Sequence, residues 1–318
     1  MIKHRGVALI TVLLIVALLT ALVYHLMVRQ SLVLAKSRQA LYTDQARAYA
    51  RGGESFARQI LYEDWQAESS RDHDSLDEPW AQVVEPLMLE SGYLEISIVD
   101  MNRRFNLNSM AGETAEANVE RFKRLLAALN LGPEIAYAWR DWVDRDSNLA
   151  GFGAEDSDYL MSNPAYRAAN QPARHVSELR LMKDITRETY QTILPYITVL
   201  PTTGLRVNIN TADAITLQSV TAKLAPSKAQ SLVESVRSYT SLDSVKQELP
   251  EFVGSDDVLS VLSAYFEVQV GVDIDGSRVE LTSLLHRDPL NGRLTTLSRD
   301  YSKRFVRRQL EQNAETDY

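Results

Sequence analysis

The clearest ligand signal in this 318-residue chain is the run Asp144-Arg145-Asp146-Ser147-Asn148-Leu149-Ala150-Gly151-Phe152-Gly153-Ala154-Glu155. With Asp144 first, Asp146 stands third, Asn148 fifth, the Ala150 carbonyl seventh and Glu155 twelfth. That is the donor order of an EF-hand calcium loop. Calcium takes hard oxygen ligands, and this arc offers most of a coordination shell. Leu149 occupies the position where such a loop needs glycine, while Gly151 and Gly153 come later. The turn must therefore differ from an EF-hand, so Asp156 or Asp158 can replace Glu155 as the far ligand and Asp141 can add from the preceding helix. Trp139, Trp142 and Tyr159 flank the loop as anchors in a core. Read without an ion, the same cluster is an acidic loop between helices. Calcium is the one cofactor the sequence points to.

Other chemistry finds little support. The five histidines, His4, His25, His73, His175 and His286, form no H-E-x-x-H pair, and no G-x-S-x-G, Walker A or dinucleotide glycine run occurs. His175 reads as a surface or helix-start residue. The absence of cysteine excludes disulfides, thiolate catalysis and Cys-ligated zinc. A net charge of −8 argues against a general nucleic-acid binder. We therefore expect no enzymatic activity and no nucleic-acid partner.

The acidic loop lies in a long block, about residues 109–262, that is rich in Ala, Leu, Arg and Glu and carries apolar residues at three and four spacing in Ala117–Leu129 and Lys228–Tyr239. Strand patterns flank it. Tyr93–Asp100 and Arg104–Asn108 are expected to pair across Met101-Asn102-Arg103, and Phe266, Val268, Val270, Val272 and Ile274 alternate with polar residues or glycine. Asp275-Gly276 and Asn291-Gly292 supply hairpin turns into Val279–Leu285 and Arg293–Leu297. A helical block interrupting a sheet reads as an insertion. Inside it, Val207-Asn208-Ile209-Asn210-Thr211 echoes Phe105-Asn106-Leu107-Asn108-Ser109. The second copy resembles the start of a helix-hairpin-helix module over residues 207–240. Its hairpin, Val220 to Ser227, has no glycine to bring backbone amides to a phosphate, so it is read as a packing unit.

At the other end, a basic stretch Met1-Ile2-Lys3-His4-Arg5-Gly6 precedes about 22 residues, Val7 to Val28, without Asp, Glu, Lys or Arg, long enough to cross a bilayer as a helix. No small-residue cleavage pattern follows it. The helix is expected to continue to about Glu63 with Leu34, Leu41, Tyr49, Phe56 and Ile60 as the stripe that packs a sheet, and with a kink or a close backbone approach at Gly52-Gly53. Ala67 to Glu78 reads as a solvated acidic loop, and residues 303–318 as a flexible tail.

A basic leader ending in glycine, followed directly by a retained membrane helix, resembles the prepilin signal of type IV pilins and type II secretion pseudopilins. That resemblance implies cleavage between Gly6 and Val7 by the prepilin peptidase, N-methylation of Val7, and the type IV pilin-like α+β fold of a long N-terminal helix on a small antiparallel sheet. Two positions depart from the family: Val7 replaces the usual Phe or Met, and Thr11 replaces the Glu at the fifth mature position. A buried Glu there must be paired, by resemblance with the terminal amine of a neighbouring subunit, whereas Thr11 can bond its own helix.

With the large all-helical insertion, the whole chain is similar to the minor pseudopilin K family of type II secretion. The expected layout is leader 1–6, membrane segment 7–28, a pilin-like domain of 29–108 and 263–302, and the insertion 109–262. The resemblance implies an inner-membrane single-pass subunit with a periplasmic head, at the tip of the pseudopilus, initiating assembly and capping the filament for export of folded proteins. It implies minor pseudopilins I, J and H and the major pseudopilin as partners, and calcium sites in the insertion. A membrane-anchored DNA- or substrate-binding module built on residues 207–240 is the rival reading.

Overall fold

A computed structural model describes residues 5–67, 71–82 and 85–303. Residues 1–4 of the leader and all of the C-terminal tail after Lys303 lie outside the described residues. Helix α1 runs unbroken over Arg5–Gln66, about 90 Å at the usual rise per residue. It crosses the Gly6–Val7 junction. Its first part is the one described helix long and apolar enough to span a membrane, with none of its most apolar window buried.

The sheet-facing side of α1 is not the expected stripe. Leu34, Leu41, Tyr49 and Phe56 are exposed, and Ile60 is only partly buried. The buried face is Ala46, Ala50, Gly53, Ala57 and Leu61. Steps of three and four keep these residues on one side, and their small size lets the helix lie close to the strands. A β-carbon at Gly53 would stand 2.7 Å from Val270 Cγ1, whereas one at Gly52 would meet nothing within 4 Å. The glycine pair therefore marks a close approach at Gly53 and no break in the helix.

That helix packs on a five-stranded antiparallel sheet in the order β1-β2-β7-β8-β9, made of Leu87–Leu89, Gly92–Asp100, Tyr265–Ile274, Ser277–Arg287 and Leu294–Asp300. Both expected turns form. Asp275 and Gly276 take φ of +46° and +78° between β7 and β8, the left-handed pair a tight hairpin with right-twisted strands requires. Gly292, at φ +68°, turns the chain into β9 beneath the Trp65 ring, where a β-carbon would stand 2.3 Å from the indole.

The expected pairing across Met101–Arg103 does not form. Strand β2 pairs with β7 over its whole length, from Gly92↔Ile274 to Asp100↔Phe266. Phe105–Asn106 becomes β3, parallel to β4 at Ile197–Thr198. Asn102 redirects the chain: its Oδ1 accepts from the Ala264 and Tyr265 amides and its Nδ2 donates to Arg206 O, which ties the turn to β7 and the insertion.

Between β3 and β7 lie α2 (Ala115–Ala128), α3 (Glu134–Val143), α4 (Asp156–Tyr159), α5 (Arg187–Ile193), α6 (Ala214–Val220), α7 (Pro226–Glu234) and α8 (Leu242–Glu248). Two parallel two-residue pairs interrupt the helices, β3 with β4 and β5 (Val207–Asn208) with β6 (Leu259–Ser260). These pairs carry the sequence echo. Asn106 and Asn108 are buried and bond the backbone of Ala173, Leu200, Thr202 and Gly204; Asn208 and Asn210 do the same for Asp74 and Tyr239. A buried amide that satisfies both its donor and its acceptor fixes the crossing of two chain segments. A separate apolar core gathers Phe105, Phe122, Trp139 and Trp142, with the Trp139 indole donating to Leu107 O.

Candidate functional site

Helix α3 positions the acidic loop. Its inner face, Ile135, Ala138, Trp139 and Trp142, is buried, which turns Asp141 inward in the last turn and leaves Asp144 at the C-cap. Asp141 is fully buried; its Oδ1 accepts the Ala150 amide at 2.9 Å and pulls the loop back over the helix end. Gly151, at φ +57°, makes the turn against the Tyr137 ring, and a β-carbon at Gly153 would lie 1.9 Å from Asp141 Oδ2. Glycine at Gly153 is thus what lets the backbone close over the carboxylate. Trp142 packs edge-on against Tyr159 at 5.2 Å, anchoring the far side of the loop.

Three carboxylates at this loop are withdrawn from solvent. Asp141, Asp144 and Glu155 are all buried, and Asp141 Oδ2, Asp144 Oδ1 and both Glu155 oxygens have no hydrogen-bond partner. Burial pushes the Asp141 carboxyl up to about 7, with Glu155 and Asp144 adding repulsion. Burial also raises Asp144, against the attraction of Arg140, and raises Glu155, with Asp144 and Asp156 adding to the rise. Unpaired acceptors cost free energy when buried, and like charges held together cost more. Hard oxygen donors of this kind are what calcium takes, although one oxygen from each of Asp141, Asp144 and Glu155 does not come within 4.8 Å of the other two.

The remaining expected ligands sit differently. Asp146 and Asn148 are exposed, and Asp146 Oδ1 accepts from both the amide and the side chain of Asn148. The Ala150 carbonyl accepts the Gly153 amide at 2.9 Å. Asp158 turns away to Lys183 Nζ at 2.8 Å and accepts the Glu155 amide; the Lys183 hydrogen bond holds its carboxyl below the usual range. Asp156 pairs with Arg167. Spacing alone puts Asp141 behind the loop residues, yet it is the most deeply buried of the three carboxylates. The signal for that was its position one helical turn before Asp144, inside the apolar face of α3.

Two further regions were marked by sequence. His175 starts a short 3-10 helix, its Nδ1 accepting from the Ser177 amide. The hairpin between α6 and α7 is spent on packing: Thr221 Oγ1 donates to Glu251 O and Lys223 Nζ to Val253 O. In the membrane helix, Thr11 Oγ1 donates to Ala8 O at 2.9 Å, so its hydroxyl is satisfied inside its own helix.

Residues Arg103 to Thr202, which include the first part of the insertion, match the family model described as type II secretion system (T2SS), protein K. Over 93% of its length the chain is 36% identical to type II secretion system protein K of Pseudomonas aeruginosa PAO1, covering 92% of that protein. The chain belongs to the type II secretion system protein K family. A second member, from Klebsiella pneumoniae, is 32% identical over 90% of this chain and 93% of its own. The fold agrees with a solved member, from the crystal structure of the GspK-GspI-GspJ complex of the enterotoxigenic Escherichia coli type 2 secretion system: TM-score 0.69, 25% identity, 85% of this chain and all of that one covered. This chain is a long-helix α+β protein, and the relatives are named for secretion.

Proposed function

We propose that the chain is the tip subunit of a type II secretion pseudopilus, a non-enzymatic part that initiates assembly with the I and J pseudopilins and caps the filament for export of folded proteins. The observation that carries this reading is Thr11. A filament subunit with Glu at that depth needs a neighbour's amine to neutralise it, whereas the Thr11 hydroxyl needs only Ala8 O. No subunit is required above it. The exposed stripe Leu34, Leu41, Tyr49 and Phe56 recurs at seven- and eight-residue steps outside the contact of α1 with the sheet, the seam a neighbouring helix would fill. The complex named for the solved relative, with its I and J subunits, supports those partners. H, the major pseudopilin and the prepilin peptidase complete the set we assign.

In this reading α1 anchors the chain in the inner membrane with the head in the periplasm, the peptidase cuts between Gly6 and Val7, and Val7 is then methylated. Calcium bound by Asp141, Asp144 and Glu155 fixes the insertion loop. Two measurements test the proposal. The amino-terminal mass of the membrane-extracted protein should correspond to methylated Val7. Tyr49→Asp with Phe56→Asp should abolish co-elution with the I and J subunits on size exclusion; co-elution unchanged by this pair would remove the helix seam from the proposal.

A further inference from the structure

The stem helix carries its charge in a row. From Arg29 to Arg58 it has Arg29, Lys36, Arg38, Arg47, Arg51 and Arg58 against only Asp44 and Glu54, in a chain whose net charge is −8. Arg29, Lys36, Arg47, Arg51 and Arg58 follow one another at steps of seven, eleven, four and seven, close to whole numbers of helical turns. In the unbroken α1 these five therefore share a strip about 60° wide. We propose that this strip docks an acidic face on the stem helix of a neighbouring pseudopilin and sets the register at which the two helices lie. The proposal rests on the reading of α1 as one helix of a bundle.

The strip has a defined place on the helix. Arg51 Nε donates to the Tyr301 hydroxyl at 3.4 Å and Arg58 Nη2 to Leu294 O at 2.8 Å, so the strip runs along the junction of α1 with β9. On its other side comes the exposed stripe of Leu34, Leu41, Tyr49 and Phe56. An apolar seam flanked by charge of one sign is the arrangement by which paired helices choose partner and register. At the head end the strip meets an open cleft of about 550 Å³ lined by Arg58 and Arg293 with Ser55, Gln59, Tyr62 and Asn291, and no carboxylate lines it. Two guanidiniums among amides and hydroxyls suit an incoming carboxylate, which can take two parallel N–H bonds from one arginine.

The chain's own acids leave the strip positive. Glu54 is buried and held by Arg299, and the one ion pair on the strip among the described residues is Arg47 with Asp44, at 3.4 Å and exposed on both sides. A lipid surface reaches only the lowest group. Arg29 follows the apolar span directly, whereas Arg47, Arg51 and Arg58 stand about 30–45 Å beyond Val28 along the helix. Residues 304–318 carry Arg304, Arg307 and Arg308 against Glu311, Glu315 and Asp317, so that segment brings no net negative charge. An acidic partner helix is the occupant that matches both the length and the sign of the strip.

The test measures the affinity of the full chain in detergent for the I and J pseudopilins by microscale thermophoresis. Arg51→Glu with Arg58→Glu should weaken binding at least tenfold. Lys36→Glu with Arg47→Glu should do the same, and this second pair touches nothing in the head, so its fold is not at stake; far-UV circular dichroism checks both. Raising salt from about 50 to about 500 mM should weaken the parent chain at least tenfold and the charge-reversed chains much less. Carbodiimide cross-linking of an Arg51→Lys chain should join position 51 to an Asp or Glu on the stem helix of I or J. Affinity indifferent to both charge reversals, or a cross-link only to Glu311, Glu315 or Asp317 of this chain, overturns the proposal. Failure of the bundle reading looks different: the parent chain then binds neither subunit at any salt, and both fall together. If the strip alone is wrong, a complex forms that Tyr49→Asp with Phe56→Asp still breaks.

Discussion

Gly52 and Gly53 are neighbours in one helix with opposite surroundings, and substituting each by alanine separates helix propensity from packing. An alanine in place of a helical glycine is worth about 1 kcal/mol through lost unfolded-chain freedom. At Gly52 nothing lies within 4 Å of the new β-carbon, so Gly52→Ala should stabilise by most of that amount. At Gly53 the β-carbon would be 2.7 Å from Val270 Cγ1 and 3.3 Å from Cγ2. Carbon contacts are comfortable at about 3.5–4.0 Å, so helix and sheet must part by roughly 1 Å. Val270 cannot swing aside: it is fully buried mid-strand in β7, and a β-branched side chain is stiff about its first torsion. Overpacking of this kind costs about 1–3 kcal/mol, and lifting α1 also loosens Ala50 and Ala57. Net of the propensity gain, Gly53→Ala should destabilise by up to about 2 kcal/mol, which puts it about 1–3 kcal/mol below Gly52→Ala. Urea unfolding of the full chain in detergent, followed by circular dichroism, resolves such a gap. Adding Val270→Ala removes both clashing methyls, so the Gly53→Ala penalty should shrink in that background. A Gly53→Ala chain as stable as Gly52→Ala would falsify the close-approach account of this helix.

The other expectations concern ionisable groups. Chelation should lower the melting temperature of the chain, and Asp141→Asn with Asp144→Asn should reduce the difference between chelator and calcium; at a free ion concentration of about 100 times Kd the effect of one ion is about 2.7 kcal/mol. Without the ion, the Asp141 carboxyl is pushed up to about 7 in the fold, so its contribution to stability is full below its unfolded value near 3.8 and is lost as pH rises through about 7. The ion-free chain should therefore melt lower at pH 8 than at pH 5, Asp141→Asn should flatten that slope, and calcium uptake near pH 6 should release protons, read by calorimetry in buffers of different ionisation heat. Glu54 has the opposite sign: burial works to raise its carboxyl, but hydrogen bonds from Arg299, Thr296 and Ser283 outweigh it and hold the carboxyl low, so its stabilisation is present above about 4.5 and lost as pH falls. Glu54→Gln should cost about 2–4 kcal/mol at pH 7, measured by urea unfolding, because Arg299 loses a charged partner that is 2% exposed.

Local chemistry was legible where one residue type decides the outcome. Asp275-Gly276 and Asn291-Gly292 announced their turns because few other residues take positive φ, and the alternation from Phe266 to Ile274 marked β7. The buried face of α1 differs from the expected stripe because its large apolar residues are not the ones that meet the sheet. Here the contact is made by Ala46, Ala50 and Gly53, whose smallness carries no hydrophobic signal, and Leu34, Leu41, Tyr49 and Phe56 are left outside. The false hairpin at Met101–Arg103 has a different cause: adjacency favoured β2 with the next strand, and only the distant amides of Ala264 and Tyr265 reveal what Asn102 binds. At the acidic loop, spacing points to Asp144 and Glu155, both of which are buried, but the inward turn of Asp141 follows from the packing of α3, and Lys183, which draws Asp158 away, lies 25 residues on.

The seating of α1 also has a mechanical side. The helix has no proline from Arg5 to Gln66 and is continuous from the apolar span to its seat on β7 and β8. A push or pull applied at the membrane end therefore travels along a stiff rod of about 90 Å and reaches the sheet parallel to the contact between them. Such a load acts in shear across Ala46, Ala50, Gly53 and Ala57 together, with Glu54 pinned sideways to Ser283, Thr296 and Arg299. Contacts loaded in parallel share the force, whereas contacts peeled from one end fail in turn. The smallest side chains of the helix thus let the head move with its stem as one lever.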